Sequence, residues 1–453
     1  MKVIAIYGRN ASGKTRYVED MRRRLATDSV RYMAFRDSYG AQLDGSYYLQ
    51  LRWNQHDIDQ ETPTVGELLE KAYKTTGDDT PERRQLQASL YELLGTNQFN
   101  SEYIISLSSG ELRKFQLTRT LLSDPKILIL DNPFIGLDAP TRQQLSHLLR
   151  TISEKRQTQI YIVVSRESDI PDYVTERITL PDPPQLPLPE VSSEVFQLKS
   201  EESAAAVPVS SDASMAAASS SRFTLQSSRN EVITMRNVCI RYGQRTILDS
   251  LNWTVHQGEH WALSGPNGSG KSTLLSLVCA DNPQGYACDI KLFGQQRGSG
   301  ETIWQIKRRI GYVSPEMHRS YHRDLPALRI VASGLKDTVG LYVRPNEQER
   351  EQCRWWMRMF GLEGMEERSF LRMSSGEQRL VLLARAFVKN PELLILDEPL
   401  HGLDDENRRR VTHIIDTFCQ QPQKTLIFVT HYREEWPQCI DHTLTLNRVS
   451  TTP

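Results

Sequence analysis

Two glycine-rich stretches each end in a lysine followed by a hydroxyl residue. Residues 8–15 read Gly-Arg-Asn-Ala-Ser-Gly-Lys-Thr, and residues 265–272 read Gly-Pro-Asn-Gly-Ser-Gly-Lys-Ser. Both fit the pattern G-x-x-x-x-G-K-[ST], in which the backbone N–H groups of a tight turn surround phosphate oxygens. The lysine adds a positive charge, and the hydroxyl is a ligand for Mg²⁺. One chain therefore carries two candidate nucleotide sites.

We expect both stretches to surround the phosphates of a nucleotide. The first set is Gly8, Arg9, Asn10, Ala11, Ser12, Gly13, Lys14 and Thr15, and the second is Gly265, Pro266, Asn267, Gly268, Ser269, Gly270, Lys271, Ser272 and Thr273. A loop that merely turns the chain is the alternative. An apolar strand precedes each stretch and a helical pattern follows it, which is the context that favours phosphate binding.

An apolar run ends in an aspartate in each half, at Asp131 and at Asp397. An aspartate at a strand end can hold Mg²⁺ directly or through water. The next residue differs, because Glu398 can orient or deprotonate an attacking water, whereas Asn132 cannot accept a proton. The bland interpretation of Asn132 is a residue that hydrogen-bonds a turn; we favour a site that binds nucleotide and hydrolyses it poorly. The predicted metal ligands are Ser272, Asp397, Thr15 and Asp131.

His431 follows the apolar run of residues 426–430 and lies 34 residues after Asp397. At a strand end it can contact a terminal phosphate and fix the geometry around Glu398. We take Arg166 as its counterpart in the first half, and arginine is always charged and cannot transfer a proton. The predicted catalytic residues are therefore Glu398, His431 and Lys271.

The two halves repeat the same motifs in the same order. Residues 107–111 read Leu-Ser-Ser-Gly-Glu, and residues 373–377 read Met-Ser-Ser-Gly-Glu. Gly110 precedes Asp131 by 21 residues, and Gly376 precedes Asp397 by the same interval. Strand, glycine loop, helix and later continuous apolar strands predict an α/β fold, with a largely parallel sheet flanked by helices in each half.

The halves are unequal and are joined by a segment unlike either. Residues 232–264 precede the second glycine loop, whereas only residues 1–7 precede the first, so the first half lacks an N-terminal β region. Residues 181–231 are rich in proline, serine and alanine and too poor in apolar residues to bury a core, which predicts a flexible linker. The predicted domains are residues 1–180, the linker, and residues 232–453.

Composition narrows the class of protein. The chain has 453 residues, 25% charged and 38% hydrophobic, with a formal net charge of −1. That profile is typical of a soluble globular protein, and a general nucleic-acid binder would be more basic. Six cysteines without a C-x-x-C pair indicate reduced residues of an intracellular protein. No stretch reaches the roughly 18–20 apolar residues of a membrane helix, so a membrane role requires a separate partner.

The ordered set of motifs resembles the ATP-binding cassette (ABC) superfamily over nearly the whole chain outside the linker. The Ser-Ser-Gly-Glu stretches resemble the cassette signature, with Ser for its first Gly and Glu for its Gln. Within the superfamily the chain looks most like the twin-cassette ModF (photorepair PhrA) family associated with molybdate transport, through residues 258–261, 281–286 and 292–304. The fold implied is two P-loop NTPase cassettes, each with a helical subdomain, the first truncated at its N-terminus.

The resemblance implies that ATP and Mg²⁺ bind between two cassettes packed head to tail. ATP at Lys271 would then be capped by Ser108 and Gly110, and ATP at Lys14 by Ser374 and Gly376. The resemblance also implies an aromatic residue stacked on adenine, a place that Tyr242 fits in the second half. The first half has no counterpart.

What ATP turnover moves is left open between two hypotheses. In one, the chain is the motor of an oxyanion permease, cytoplasmic and peripheral at the inner membrane. In the other, it acts on a ribosome, DNA or another intracellular assembly. The loop that couples a cassette to a permease normally holds a glutamine, and here Pro315 or Glu316, and Arg36 or Asp37, stand in its place. The near-zero charge weakens the nucleic-acid alternative.

Overall fold

Two five-stranded parallel sheets with one shared strand order dominate the computed structural model. It describes residues 2–10, 12–25, 29–34, 62–107, 109–134, 137, 139–156, 158–182, 189, 231–242, 245–266, 268–315, 317, 321, 324–338 and 344–448. Strands buried on both faces read as continuous apolar runs, as the second sheet's central strand Leu393–Asp397 does. The predicted α/β class is confirmed.

The first half forms one sheet with helices around it. Its strands are β1 (Val3–Tyr7), β2 (Val30–Ala34), β3 (Ile127–Asp131), β4 (Gln159–Val164) and β5 (Glu176–Thr179), in the order β2-β3-β4-β1-β5. Its helices are α1 (Lys14–Arg24), α2 (Val65–Thr75), α3 (Pro81–Leu94), α4 (Ser109–Leu121) and α5 (Ala139–Arg156). Helices α2 and α3 pack on α4 and form the helical subdomain of this half.

The second half repeats the parallel sheet and adds an antiparallel one. Its strands are β6 (Glu231–Tyr242), β7 (Arg245–His256), β8 (His260–Ser264), β9 (Asp289–Leu292), β10 (Gln295–Gln296), β11 (Ile310–Val313), β12 (Leu393–Asp397), β13 (Thr425–Val429) and β14 (His442–Thr445). Its helices are α6 (Lys271–Val278), α7 (Ile303–Arg309), α8 (Ala327–Ser333), α9 (Glu347–Met359), α10 (Ser375–Phe387) and α11 (Asp405–Cys419). The parallel order is β11-β12-β13-β8-β14, and the antiparallel order is β10-β9-β6-β7.

The antiparallel sheet has no counterpart among the described residues of the first half. Nearly all of the predicted linker, residues 181–231, lies outside the described residues, so the domain limits stay a prediction. Within the described part of the chain, no helix has the length and apolarity needed to cross a bilayer.

The topology gathers the candidate site residues at one edge of each sheet. The carboxyl ends of parallel strands meet at the same edge, and loops that leave them face a common crevice. Both glycine loops follow such ends, after β1 and after β8, and both aspartates close β3 and β12. The two crevices therefore hold equivalent sets of residues.

Candidate functional site

The two glycine loops have the same internal geometry. Lys14 Nζ donates to the carbonyl oxygens of Gly8 at 2.5 Å and Arg9 at 2.7 Å. Lys271 Nζ donates to those of Gly265 at 2.6 Å and Pro266 at 3.0 Å. Each lysine is the first residue of its helix, so the N–H groups of the first helical turn and a cation face the same space. That arrangement suits a polyphosphate.

A glycine in left-handed backbone conformation ends each loop. Gly13 has φ 83° and Gly270 has φ 94°, values at which a side chain is strained. The hydroxyl oxygens of Ser12 and Ser269 are buried, yet within the described residues neither has a hydrogen-bond partner. Buried polar groups are normally satisfied, so both loops have capacity for a ligand. Ala11 and Asn267 lie outside the described residues.

Burial changes the pKa of Lys14, the lysine of the first loop. Burial lowers the pKa of Lys14 to about 8, and the nearby Asp131 and Asp404 carboxylates oppose that shift. A phosphate in the loop would supply the missing negative charge. Thr15, next in the chain, is exposed toward the same space, as Ser272 is in the second loop.

Asn132 and Glu398 occupy equivalent positions at the ends of β3 and β12. The N–H of Asn132 donates to Val163 O at 2.8 Å, and that of Glu398 donates to Val429 O at 2.9 Å. Both have positive φ, 52° and 50°. Asparagine tolerates this conformation better than glutamate does. The backbone is therefore the same in both halves, and the side chain alone differs.

In the first half, the carboxylate of the preceding residue, Asp131, accepts two hydrogen bonds from neighbouring side chains. Asp131 accepts hydrogen bonds from Tyr32 Oη at 2.9 Å and from Asn132 Nδ2 at 2.8 Å. The side chain of Asn132 therefore hydrogen-bonds to its neighbour Asp131. An amide has no basic lone pair that could take a proton from water, so the difference from Glu398 remains.

Glu398 is buried beneath the second glycine loop. Burial raises the pKa of Glu398 well above its ordinary value, Asp397 and Glu435 add to the increase, and Lys271 and Arg379 oppose it. Neither carboxylate oxygen accepts a hydrogen bond from any residue that the structure describes. A raised pKa and open acceptor sites are the properties of a general base.

Two imidazoles lie on either side of the Glu398 carboxylate. His431 Nε2 is 3.5 Å from Oε1, and His401 Nε2 is 3.5 Å from Oε2. The approach of His431 agrees with its predicted place. His401 was not singled out from the sequence, although its position three residues after Glu398 was visible. Burial, together with Arg379 and Arg113, holds the pKa of His401 well below its ordinary value, so this imidazole is neutral.

The register of the strands corrects one predicted equivalence. Asp131 pairs with Val163 on β4, and Asp397 pairs with Val429 on β13. Counting two residues on from each partner places Ser165, and not Arg166, at the position of His431. The prediction of Arg166 was wrong by one residue, because an apolar run does not show at which residue its strand ends, whereas the distance from the aspartate does.

Arg166 instead contacts the other half of the molecule. Its guanidinium lies 3.7 Å from the Asp405 carboxylate and 3.8 Å from that of Glu435. Tyr432, at the equivalent position of the second half, donates from Oη to Leu137 O at 2.8 Å. The two positions therefore connect the halves in a reciprocal way.

The first glycine loop faces the signature of the second half across a cavity of about 530 Å³. Its lining includes Lys14, Thr15 and Asp131 from one half and Ser374 and Glu377 from the other. Ser374 caps α10, since its Oγ accepts from the N–H of Glu377. A Cβ atom at Gly376 would overlap the side-chain amide of Asn10, so the signature glycine allows the two halves to approach closely.

The structure describes less of the pairing between the second glycine loop and the signature of the first half. Gly110 lies in the first turn of α4, but Ser108 lies outside the described residues. Capping of the second loop by these two residues stays a prediction. Tyr242 lies at the end of β6 and accepts a hydrogen bond from Asn282 Nδ2 at 3.0 Å, which fixes its ring. Its stacking on adenine also stays a prediction.

Comparison with known proteins gives the class. The ABC transporter family model matches residues 1–135 and 248–401, which include both glycine loops and both strand-end aspartates. The chain belongs to this family and is a twin-cassette ABC ATPase.

Two relatives are similar in sequence to this chain over most of its length. The chain is 35% identical over 462 residues to the ABC transporter ATP-binding protein ModF of Escherichia coli (strain K12), covering 97% of this chain and 90% of ModF. It is 28% identical to an uncharacterised ABC transporter ATP-binding protein of Schizosaccharomyces pombe, covering 91% and 82%. The predicted resemblance to ModF is confirmed. A solved dimeric bacterial ABC transporter cassette is 23% identical with a TM-score of 0.41, covering 48% of this chain and 94% of that one.

Proposed function

We propose that ATP is hydrolysed at the second site and retained at the first. The observation that carries this proposal is the difference between Glu398 and Asn132 at one backbone position. In the second site Lys271 holds the terminal phosphates, Glu398 takes a proton from the attacking water, and His431 keeps that carboxylate in place. Ser108 and Gly110 close this site from the first half.

Burial prepares Glu398 for the transfer. A carboxylate in a site that excludes water is a stronger base than one in solvent, because its charged form is poorly solvated. Neither carboxylate oxygen accepts a hydrogen bond from a described residue, so both keep acceptor capacity for a water molecule. In the first site Asn132 donates to Asp131 and cannot take up a proton.

The residues that would hold Mg²⁺ suit that ion. Ser272 with Asp397, and Thr15 with Asp131, provide hydroxyl and carboxylate oxygens, the donors that a hard cation prefers. Thr15 and Asp131 line one cavity with Lys14. When bound, the ion would offset the charge of the phosphates. Lys271 and Lys14 would offset part of the same charge.

The nucleotide remaining on the protein tests this division of labour. The full chain is incubated with ATP and Mg²⁺, separated from free nucleotide, and its bound ATP and ADP are extracted and measured. We expect retained ATP that disappears in Lys14→Ala, and ADP production that disappears in Lys271→Ala. Loss of the same nucleotide in both variants would contradict the proposal.

We also propose that turnover drives an oxyanion permease of the molybdate type. Family membership and the resemblance to ModF support this role, and permease docking would involve residues 35–42 and 316–321. Of these, Met317 and Tyr321 are described, and both pack in the apolar core of the second half. Tyr321 Oη lies 3.1 Å from Ser333 Oγ. Their side chains are therefore buried, and the other residues of both ranges lie outside the described part of the chain.

Fractionation of cell extract separates this role from action on a soluble assembly. The Glu398→Gln variant, trapped with ATP, should sediment with membranes, and Glu316→Arg in the same background should release it. Recovery with ribosomes or DNA at low salt, and its loss as salt rises, would overturn the transport role in favour of the alternative.

A further inference from the structure

Three potential metal ligands lie together at the end of the second parallel sheet that is remote from the nucleotide. One ligand atom each of His260, Cys419 and Cys439 lies within 4.8 Å of the others. His260 opens β8, whose five residues span about 16 Å before the glycine loop begins. Cys419 ends α11, and Cys439 precedes β14. The nucleotide sites make no use of this cluster.

The imidazole of His260 lies between hydrogen-bond acceptors on both sides. Its Nε2 is 3.2 Å from Lys424 O, and its Nδ1 is 3.1 Å from Cys439 O and 3.6 Å from Asp441 Oδ2. A neutral imidazole has one N–H donor and one lone pair, so it satisfies one side only. With the proton on Nε2, the lone pair of Nδ1 faces a carbonyl and a carboxylate. A metal ion on Nδ1 would engage this lone pair and the carboxylate together.

The two thiols indicate which metal ion suits this cluster. Cysteine sulfur and imidazole nitrogen are the ligands that Zn²⁺ prefers, and oxygen-preferring cations avoid them. His260 and Cys419 are buried and Cys439 is partly exposed.

We propose that Cys419, Cys439 and His260 Nδ1 bind Zn²⁺, and that the Asp441 carboxylate, which lies outside this group of three but only 3.6 Å from Nδ1, turns toward the ion as the fourth ligand. Asp441 Oδ1 already accepts from the backbone N–H of His260 at 2.8 Å and lies 2.6 Å from His442 Nδ1, which leaves Oδ2 for the metal. The Nε2–H group of His260 keeps its hydrogen bond to Lys424 O and fixes the tautomer, as the outer partners of ligating histidines do. Binding releases the two thiol protons to solvent.

The site would connect three segments that are distant in sequence. It joins the start of β8, the end of α11 and the residues before β14, and the Asp441 side chain, 46% exposed, gives the ion a route in. The N-terminal end of helix α11 contacts the first cassette, and Cys419 lies at its C-terminal end, away from that contact. A metal here stabilises the second cassette without entering the chemistry of ATP.

Cobalt binding to the reduced full chain tests the proposal without any measurement of activity. After removal of metals with a chelator, Co²⁺ is titrated in the absence of nucleotide, and Zn²⁺ is then added. We expect one Co²⁺ per chain, a thiolate-to-cobalt charge-transfer band, and loss of that band on adding Zn²⁺. The band should be absent in Cys419→Ser and Cys439→Ser and unchanged in Cys239→Ser, which alters an exposed cysteine elsewhere.

Thermal unfolding provides the second readout. Zn²⁺ should raise the unfolding temperature of the wild type and of Cys239→Ser, and leave that of the two cluster variants unchanged. His260→Gln, which can still donate to Lys424 O, replaces either serine variant that does not fold. A reduced wild-type chain with no charge-transfer band, or a band that persists in the cluster variants, would overturn the proposal. So would a Cys419–Cys439 disulfide that persists in reductant.

Discussion

The backbone N–H of Asn10 donates to the carboxylate of Asp404 at 2.7 Å, across the boundary between the two cassettes. Through its other oxygen the same carboxylate accepts from the N–H of Asn407 and caps α11. Asn10 belongs to the glycine loop of the first site, and Asp404 follows Glu398 by six residues. One side chain therefore connects the loop that would hold retained ATP to the segment that carries the proposed base.

Replacement of Asp404 by asparagine should separate the two roles of this residue. Asparagine caps helices as well as aspartate does, so α11 should persist. The charged acceptor is lost, and a hydrogen bond to a charged group contributes about 1.5–3 kcal/mol. We expect nucleotide affinity at the first site to fall about tenfold or more, with a loss of ATPase activity. Fluorescent-nucleotide binding and steady-state turnover measure both.

Asp404→Ala is the matched comparison. It removes the cap as well, so its unfolding temperature should fall below that of Asp404→Asn. If Asp404→Asn kept wild-type nucleotide affinity and turnover, the hydrogen bond from Asn10 to Asp404 would have no role in nucleotide binding or in ATPase activity.

Glu398→Gln should abolish turnover while ATP still binds. Glutamine keeps the shape and cannot accept the proton, so we expect a loss of roughly 10²–10⁴-fold in kcat. The variant should be at least as stable as the wild type, because it no longer buries a carboxyl group beside Asp397. A variant with half of the wild-type ATPase activity would show that the base lies elsewhere.

The two lysines should have unequal effects. Lys271→Ala should abolish turnover, whereas Lys14→Ala should reduce bound nucleotide and spare much of the activity. Ser108→Arg should also stop turnover, since this serine is predicted to close the second site from the first half. Steady-state ATPase assays of the three variants measure this, and equal losses in Lys14→Ala and Lys271→Ala would exclude unequal sites.

His401 should act as a positioning residue for Glu398. Its neutral imidazole lies 3.5 Å from the carboxylate and also borders the cavity of the first site. We expect His401→Ala to lower kcat about tenfold with little change in KM, a smaller loss than in His431→Ala, within the range that positioning groups contribute. His413→Ala, an exposed histidine of α11, is the control. A change in KM alone would indicate a role in binding only.

The sequence predicted the repeated elements well because they depend on local patterns. The interval from Gly110 to Asp131 equals that from Gly376 to Asp397, which predicted that the two halves repeat one fold, and both contain a five-stranded parallel sheet. What it did not show are contacts made across the two halves. Neither the bond between Asn10 and Asp404 nor the ion pair between Arg9 and Glu406 has a local signal, since each joins residues nearly 400 positions apart.

The error at Arg166 has a different origin. An apolar run indicates that a strand ends nearby but does not give the last residue. Because side chains alternate along a strand, an error of one residue selects the neighbour of the side chain that faces the crevice. The distance of 34 residues from Asp397 to His431, applied from Asp131, gives Ser165. The structure agrees, because Ser165 borders the cavity of the first site and Arg166 faces the other half.

That correction allows the first site to be rebuilt. Lys14, Thr15 and Asp131 are present there, and Ser374 faces them. In a Glu398→Gln background, Asn132→Glu with Ser165→His should restore the missing pair. Glutamate is tolerated at this backbone position, since Glu398 adopts φ 50° where Asn132 has 52°. We expect a gain of about 10²-fold over the background, the range of general-base catalysis.

The choice of histidine position provides the control. Asn132→Glu with Arg166→His places an imidazole one residue further, where it faces Glu435 and Asp405 of the other half, and should gain little. Asn132→Glu alone should lie between the background and the double variant. Steady-state ATPase assays compare the four proteins. An equal gain from the two histidine positions would contradict the register argument, and no gain from either would place the defect of the first site outside Asn132 and Ser165.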